Sequence, residues 1–245
     1  MMKKILLSAM VAVFMLISSV SLSHAGGNDI SLQAMAQSEF EDLSKEVGLI
    51  ISYVPLAPAE PLGILGFDIG VEVTGVKISS GSTFWENAVD DNKPPDYVLL
   101  PKIHVQKGLP LGIDLGVIYA TAPGTNISLY GGEIKWAFLK GSIVSPAAAV
   151  RGSYTALAGV DDLDAATYGL DVSVSKGFGP LTPYAGLGNV WIKTQENAGL
   201  GLDDVSTSAT KLFIGAKLKI LLLGIVLQAD FSEVPMYSAR ANISF

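Results

Sequence analysis

The 245-residue chain contains no cysteine. Disulfide bonds, thiolate metal sites and cysteine nucleophiles are therefore excluded. Beyond its N-terminus the chain also lacks an apolar run of about 20 residues, which is the length that a transmembrane helix needs. The apolar stretch 212–227 comes closest, but Lys217 and Lys219 interrupt it two residues apart. That spacing favours a strand over a membrane-spanning helix.

Basic residues are scarce as well. The chain has 16 Lys and Arg against 23 Asp and Glu, and its net charge of −7 argues against a nucleic-acid partner and a polybasic membrane patch. The mean hydropathy of +0.44 is nevertheless high for a soluble protein. High hydropathy without spanning helices is typical of a transmembrane β-barrel, which disperses its apolar residues at every second position.

Residues 1–25 have the three-part order of a secretory signal peptide. Lys3 and Lys4 form the positive region, residues 5–20 form the apolar region, and Ser23-His24-Ala25 supplies small residues for cleavage. A single membrane anchor is the alternative, but the apolar run is short and a cleavage site follows it. The pattern predicts export with cleavage after Ala25. Cleavage removes two lysines and no acid, so the 14 remaining bases face 23 acids and the charge becomes −9.

Residues 26–63 form an N-terminal segment that combines a predicted helix with a proline-rich stretch. A helix is predicted within 26–46, where Ser38 and Glu41 have the spacing of a capping box and three apolar residues recur at helical spacing: Phe40, Leu43 and Val47. Residues 47–54 fit a short strand or a docking segment, and prolines at 55, 58 and 61 interrupt regular pairing. The segment could plug a barrel, add a strand to it or lie in the periplasm.

Residues 64–245 show a repeated pattern of apolar and polar alternation. It predicts ten strands, with eight to twelve possible, near residues 64–78, 97–106, 112–121, 127–138, 147–156, 166–176, 183–194, 209–220, 224–231 and 236–245. Most have the ~9–11 residues that cross a bilayer when tilted. Ten is an even number, as bacterial barrels require when the first strand begins and the last strand ends on the periplasmic side.

The connections between these strands alternate in length. The longer ones, which include 79–96 and 195–208, total 50 residues, whereas the intervening ones total 22. Outer-membrane barrels have long external loops and short periplasmic turns. The alternation therefore predicts a C-terminus in the periplasm.

The last ten residues, Met236–Phe245, alternate strictly between two faces. The apolar face consists of Tyr237, Ala239, Ala241, Ile243 and Phe245, and the chain ends on the aromatic ring. This ending resembles the C-terminal insertion strand of bacterial outer-membrane β-barrel proteins. The resemblance implies an all-β, antiparallel, up-and-down transmembrane barrel over 64–245 after a short N-terminal helix, but selects no subfamily. It also implies a location in the outer membrane, with membrane lipid, lipopolysaccharide and the barrel assembly machinery as partners.

Alternation alone does not tell which face of the barrel is wet, and a soluble calyx would bury its apolar face. Charges of both signs mostly share the polar phase and could pair across a narrow lumen: Asp68, Glu72, Lys102, Asp114, Glu133, Lys135, Arg151, Asp171, Lys211, Lys217, Lys219, Asp230 and Arg240. Aromatic residues lie mostly near strand ends, as interface girdles do: Tyr97, Tyr119, Trp136, Phe138, Tyr184, Phe231, Tyr237 and Phe245. Together these patterns favour the membrane barrel.

No constellation of residues points to catalysis, a cofactor or a metal. After cleavage His104 is the only histidine, and His104-Val105-Gln106 lacks the serine of the His-x-Ser pattern in outer-membrane phospholipases. The acidic clusters 161–164 and 203–204 could bind divalent cations that bridge lipopolysaccharide, but solvated loop charge is the simpler interpretation. The glycines at 177, 179, 186 and 188 precede no helix, so they form no nucleotide site.

The sequence thus predicts a non-enzymatic, porin-like barrel that is structural or passes small solutes through a narrow lumen. Ten strands enclose little free space, which disfavours a general porin. A ligand-binding or adhesive barrel acting through loops 79–96 and 195–208 is the alternative, and an outer-membrane enzyme comes third.

Overall fold

The computed structural model describes residues 30–89, 92–121 and 127–245. The predicted leader, residues 1–25, lies outside these ranges. Ten antiparallel strands form one closed barrel in which each strand pairs with its sequence neighbours and β1 pairs with β10. The strands are β1 (Phe67–Lys77), β2 (Tyr97–Gly108), β3 (Ile113–Thr121), β4 (Ser128–Lys140), β5 (Ala147–Ala158), β6 (Leu163–Ser175), β7 (Leu181–Glu196), β8 (Val205–Ile220), β9 (Leu223–Phe231) and β10 (Met236–Ser244). The predicted architecture and strand number are confirmed.

The apolar face of the strands points outward. On β6, Val172 and Val174 are about half exposed, whereas their neighbours Asp171 and Ser173 are buried in the lumen. Successive side chains of a strand point to opposite faces, so the same inversion runs along each strand. An apolar exterior around a polar, charged interior is the distribution of a transmembrane barrel, and it excludes a soluble calyx.

Aromatic side chains form a belt on the outside of the barrel, near the end at which β3 connects to β4 and β5 connects to β6. Tyr119 pairs with Tyr130 across β3 and β4, and Tyr168 lies opposite both Tyr154 and Trp191. The rings of Tyr154 and Tyr168 are 5.1 Å apart. Such a belt marks the level of a membrane interface.

One predicted girdle residue is placed wrongly. Tyr184 points into the lumen, where it is buried and donates a 2.8 Å hydrogen bond to the side-chain oxygen of Gln228. Its strand phase is the inward one, and Gly215 on β8 leaves the space that its ring fills. Alternation by itself could not separate this inward tyrosine from the outward ones.

The two ends of the barrel differ in their connections. The turn end has short connections at 109–112, 141–146, 176–180 and 221–222, and it also holds the start of β1 and the end of β10. The opposite, loop end has the longest connection, 78–96, which contains the helix α2 (Thr83–Glu86). The loop-end connection between β7 and β8 is shorter than expected. Because β7 ends at residue 196 and β8 begins at residue 205, only 197–204 lie between them.

The helix α1 (Gln37–Ile51) begins later and ends later than the sequence predicts. Its N-cap is Ala36, whose backbone N–H donates to the side chain of Glu39 at 3.0 Å, so the predicted pairing of Ser38 with Glu41 is wrong. A strand at 47–54 is also wrong, since the helix continues to Ile51. Among the described residues no helix combines the length and the apolarity needed to cross a membrane.

Candidate functional site

The lumen of the barrel is filled by the chain's own residues 37–62, which we call the plug segment. Its N-terminal side is at the loop end, where Ile30 forms a bridge with Val89. Its C-terminal side is at the turn end, where the Leu62 N–H donates to the Asp114 carboxylate at 3.1 Å. The plug segment therefore runs through the barrel from the loop end to the turn end before β1 begins.

The half of the lumen nearer the loop end is apolar. Phe40 and Leu43 of α1 are fully buried there. Side chains from the surrounding strands belong to the same apolar cluster: Val76, Val190, Ile192, Val205, Phe213, Val226 and Met236. Burial of a large apolar side chain contributes about 1.5–3 kcal/mol, so this half resembles the core of a soluble domain.

The helix lies very close to the barrel wall. A Cβ atom added to Gly48 would come within 2.2 Å of the Ile192 side chain, so a larger residue cannot occupy this position without displacing the helix or the strand. One turn earlier, the Thr194 hydroxyl donates to the Ser44 hydroxyl at 2.6 Å. The helix is thus fixed to β7 by shape and by a buried hydrogen bond.

The half of the lumen nearer the turn end is charged, and its cations bind the plug backbone. Lys211 donates to the carbonyl of Tyr53 at 2.6 Å, and Arg240 donates to the carbonyl of Leu56. Lys135 donates to two plug carbonyls, at residues 58 and 60, over 3.0 and 2.9 Å. The prolines at 55, 58 and 61 have no N–H for a strand ladder, which leaves neighbouring carbonyls available to these cations.

Cations of the lumen also pair with carboxylates, most of them on neighbouring strands. Lys135 lies 2.9 Å from Asp114, and Arg151 lies 2.6 Å from Glu133 and 3.4 Å from Asp171. Two further pairs are Lys102 with Glu72 at 3.4 Å and Lys217 with Asp68 at 3.2 Å. Each partner offsets part of the hydration that its buried counterpart loses.

The charges of the lumen balance. Among the described residues, six acids are buried in the lumen: Asp68, Glu72, Asp114, Glu133, Asp171 and Asp230. The bases also number six, and only the last has an appreciably exposed side chain, at 12%: Lys102, Lys135, Arg151, Lys211, Arg240 and Lys217. Lys219 is the one predicted lumen charge that lies at the exposed rim instead. A balanced set of this kind creates no strong selectivity for ions of one sign.

His104 lies in the lumen as part of this network. It is buried, it accepts a hydrogen bond at Nδ1 from the Arg240 guanidinium, and its Nε2 lies 4.0 Å from Glu133. A guanidinium can only donate, so Nδ1 is the acceptor and the proton of the neutral ring is on Nε2. The prediction that this histidine is a lumenal polar residue agrees with its position, and its contacts are those of a structural group.

The acidic loop clusters hold the start of the N-terminal segment. Asp162 accepts a 3.1 Å hydrogen bond from the Leu32 N–H, and Asp203 forms two backbone hydrogen bonds with the side chain of Gln37. Glu46 of α1 accepts from the Trp85 indole at 2.7 Å. Within the described ranges, no three His, Asp or Glu side chains are grouped so that they could hold a metal ion.

Sequence reasoning did not find the contacts between the plug and the lumen. Strand phase correctly places the lumenal charges inward, but their partners at residues 53–60 are backbone carbonyls, which carry no residue-type signal. The proline-rich composition of that stretch is the one feature that could have indicated unpaired backbone acceptors.

Comparison with known proteins adds little to this geometry. No family model matches the chain, and neither does any curated protein. Among solved structures, the barrel is similar to the attachment invasion locus protein Ail of Yersinia pestis, with 13% identity, a TM-score of 0.31, and coverage of 74% of this chain and 97% of that one.

Two other solved structures are similar at the same level. Neisserial surface protein A has 9% identity and a TM-score of 0.30, with 74% of this chain and 97% of that chain covered. Omp33 of Acinetobacter baumannii has 9% identity and a TM-score of 0.32, with 74% and 100% covered. The closed strand order and the apolar exterior of the chain itself make it a small outer-membrane β-barrel in architecture.

Proposed function

We propose that this protein is a structural, non-conducting outer-membrane barrel whose lumen is kept closed by its own plug segment. The observation that carries the proposal is the path of residues 37–62 through the whole lumen, with apolar packing near one end and ion-to-carbonyl bonds near the other. A solute would have to displace both sets of contacts. Passage of small solutes is therefore the weaker of the two functions that the sequence suggests.

Binding or adhesion through the external loops is the second candidate. The loop at 78–96 contributes Ser79 and Trp85 to Glu46 of the helix, and the loop at 197–204 contributes Asp203 to Gln37. Side chains used to hold the plug segment are less available to an external ligand. This engagement favours the structural function over the adhesive one.

Conductance in planar bilayers tests the proposal with the full chain. The protein should give no steady openings, whereas Gly48→Leu should give them, because the added side chain collides with Ile192 and prevents the helix from seating. Gly81→Leu is the matched control, since a Cβ there meets nothing within 4 Å. Large, steady, porin-like openings of the unsubstituted protein would contradict the proposed function.

A crosslink keeps the test independent of whether Gly48→Leu folds. The native chain has no cysteine, and the hydroxyls of Ser44 and Thr194 are 2.6 Å apart. The variant Ser44→Cys with Thr194→Cys should form a disulfide in the membrane-embedded protein under mild oxidation. Pairing Ser44→Cys with Ser208→Cys, which lies on the barrel exterior, should form none. Absence of the first disulfide would show that the helix does not occupy the lumen.

A further inference from the structure

The turn end of the barrel carries exposed apolar side chains at the tip of each of its four hairpin connections. The most exposed are Leu111 at 77%, Ile143 at 97%, Val144 at 90%, Phe178 at 62% and Leu221 at 77%. Short connections between membrane strands are expected to be polar when they project into water. Four apolar tips in a ring indicate that this end of the barrel does not lie free in water.

Two of these tips keep a leucine where the backbone disfavours it. Leu111 has φ 65° and Leu221 has φ 57°, both in the left-handed region that glycine and asparagine adopt more easily. In a two-residue hairpin such as 221–222, glycine or asparagine is the usual choice at a positive φ. The leucine side chains are retained despite this strain, which points to a contact that they make outside the chain.

A lysine lies at the start of each of the four turns or within two residues before it, and the turns themselves contain no acidic residue: Lys107, Lys140, Lys176 and Lys219. Lys107 donates to the carbonyls of residues 64 and 66, and Lys176 donates to those of residues 142, 143 and 145. Lys140 and Lys219 are exposed, and their side chains form no hydrogen bond or ion pair with described residues. The turn end thus combines apolar tips with free positive charge.

The height of the apolar exterior sets the level of this end relative to the bilayer. On β7 the belt residue Trp191 is ten residues from Leu181, the first residue after the turn. At about 3.3 Å per residue and a tilt of roughly 40°, this distance is about 25 Å along the barrel axis, which equals the apolar band of outer-membrane barrels. When the belt is at one interface, the turns therefore reach the other.

We propose that the turn end is a binding surface for the headgroup layer of anionic phospholipid. The exposed tips insert below the phosphates, and Lys140 and Lys219 pair with the phosphates. This arrangement follows the behaviour of long basic side chains at membrane interfaces, where the stem lies along apolar surface and the charge reaches the headgroups. A soluble protein docked on the same tips is the competing occupant, and the depth of the tips in the bilayer separates the two.

The depth of the tips is measured with an introduced indole in vesicles that contain phosphatidylglycerol. Ile143→Trp should show blue-shifted emission, quenching by phospholipids brominated near the headgroup, and protection from iodide, each relative to the unsubstituted protein. Gly81→Trp at the loop end is the control, since its side chain projects into open space. An indole at 143 that iodide quenches and bromolipid does not would overturn the proposal and leave a protein partner as the occupant.

Preference for anionic lipid is measured from the boundary fraction of spin-labelled phosphatidylglycerol against phosphatidylcholine. Lys140→Gln with Lys219→Gln should lower that preference by about fivefold per lysine. Lys77→Gln, an exposed lysine at the loop end, should leave it unchanged. An unchanged preference in the double variant would overturn the proposal.

The strained leucines give a variant whose folding is not at risk. Leu111→Gly with Leu221→Gly suits the positive φ of both positions and removes both apolar tips. In this variant, the indole introduced at 143 should shift toward the red and gain access to iodide, because two of the four anchors are missing. Unchanged depth would show that the leucines make no contact with lipid.

Discussion

Arg151 is the largest side chain that the lumen buries completely. It lies on β5 directly opposite Asp171 of β6, and its guanidinium also reaches Glu133 of β4. Two carboxylates around one guanidinium offset its loss of hydration, which costs several kcal/mol for an unpaired ion. One neighbouring plug residue, Tyr53, has a buried hydroxyl with no hydrogen-bond partner among the described residues, so the network is not satisfied by protein alone.

Replacement of Arg151 by Met should destabilise the barrel by about 3–5 kcal/mol, because two buried carboxylates lose their cation. The measurement is urea unfolding in detergent micelles, followed by tryptophan fluorescence. Adding Glu133→Gln and Asp171→Asn to the Met variant should recover most of the loss, since no buried charge is then unpaired. A loss below about 1 kcal/mol for Arg151→Met would mean that water or a protonation change replaces the guanidinium.

Two glycines allow the plug segment and the residue that follows it to approach the barrel wall closely. Gly48 allows the helix to approach Ile192, and Gly108 of β2 allows the backbone at Gly63, directly after the plug segment, to pass within contact distance. Both are places where one added carbon atom would collide with another element. In the sequence, the first is an isolated glycine in a helical pattern and the second an isolated glycine in a strand pattern. Neither pattern shows which residue of another element packs against the glycine.

At the scale of elements, closure of the barrel depends on the pairing of β1 with β10. Glu72 lies opposite Arg240 in this seam, and the pair is 3.9 Å apart inside the lumen. Beyond the last pairs, Phe67 and Phe245 exchange two backbone hydrogen bonds of 2.9 and 3.1 Å, and their rings are 5.9 Å apart on the outside. Phe245 thus extends the seam by one backbone pair and covers it on the outside.

Deletion of Phe245 should reduce the folded, membrane-inserted fraction. Its two backbone hydrogen bonds contribute about 0.5–1.5 kcal/mol each, and the apolar contact of the ring is lost as well. The measurement is the fraction of protein that shows heat-modifiable migration on a gel. Phe245→Leu keeps the backbone bonds and so separates the ring from the chain end. Normal assembly after the deletion would show that the terminal aromatic has no role in closure.

Elements whose sequence has a clear period were predictable, and those positioned by tertiary contacts were not. The ten strands follow from alternation because each has one face in lipid and one in the lumen. The prediction placed the helix within 26–46 with Ser38 and Glu41 as its cap, whereas the helix begins at Gln37, is capped through Glu39 and continues to Ile51. The end of the helix depends on its fit against β7, which no local pattern records.

The candidate site was predictable only in part for a related reason. The inward charges were identified from strand phase, and all but Lys219 lie in the lumen. Their binding to plug carbonyls depends on the register of the plug inside the barrel, which is set by packing around residues 40–51. Sequence reasoning therefore left the position of residues 26–63 open.

At the scale of the whole molecule, the barrel has a charge asymmetry along its axis. The described residues near the loop end include many more acids than bases, among them Glu39, Asp96, Asp161 and Asp204, whereas the four turns at the opposite end carry lysines and no acid. The lumen between them is balanced. Most of the net negative charge is thus on the side with long loops, which is the external side of outer-membrane barrels.

The path of the plug segment also has a consequence for topology. The start of β1 and the end of β10 are both at the turn end, so a chain that entered β1 directly would approach the barrel from that end. Here the chain enters β1 from inside the lumen, and Ile30 lies at the loop end beside Val89. Ile30 is therefore at the loop end, which corresponds to the external side of outer-membrane barrels.

A short epitope inserted between residues 29 and 30 should accordingly be accessible to antibody on intact cells. The same epitope placed after Phe245 should become accessible only when the outer membrane is permeabilised, because the end of β10 is on the turn side. An epitope within 197–204 serves as the external reference, since this connection is at the loop end. Labelling of the N-terminal epitope only after permeabilisation would mean that the plug segment enters from the periplasm, and that its contacts with Asp162 and Asp203 do not form in the membrane.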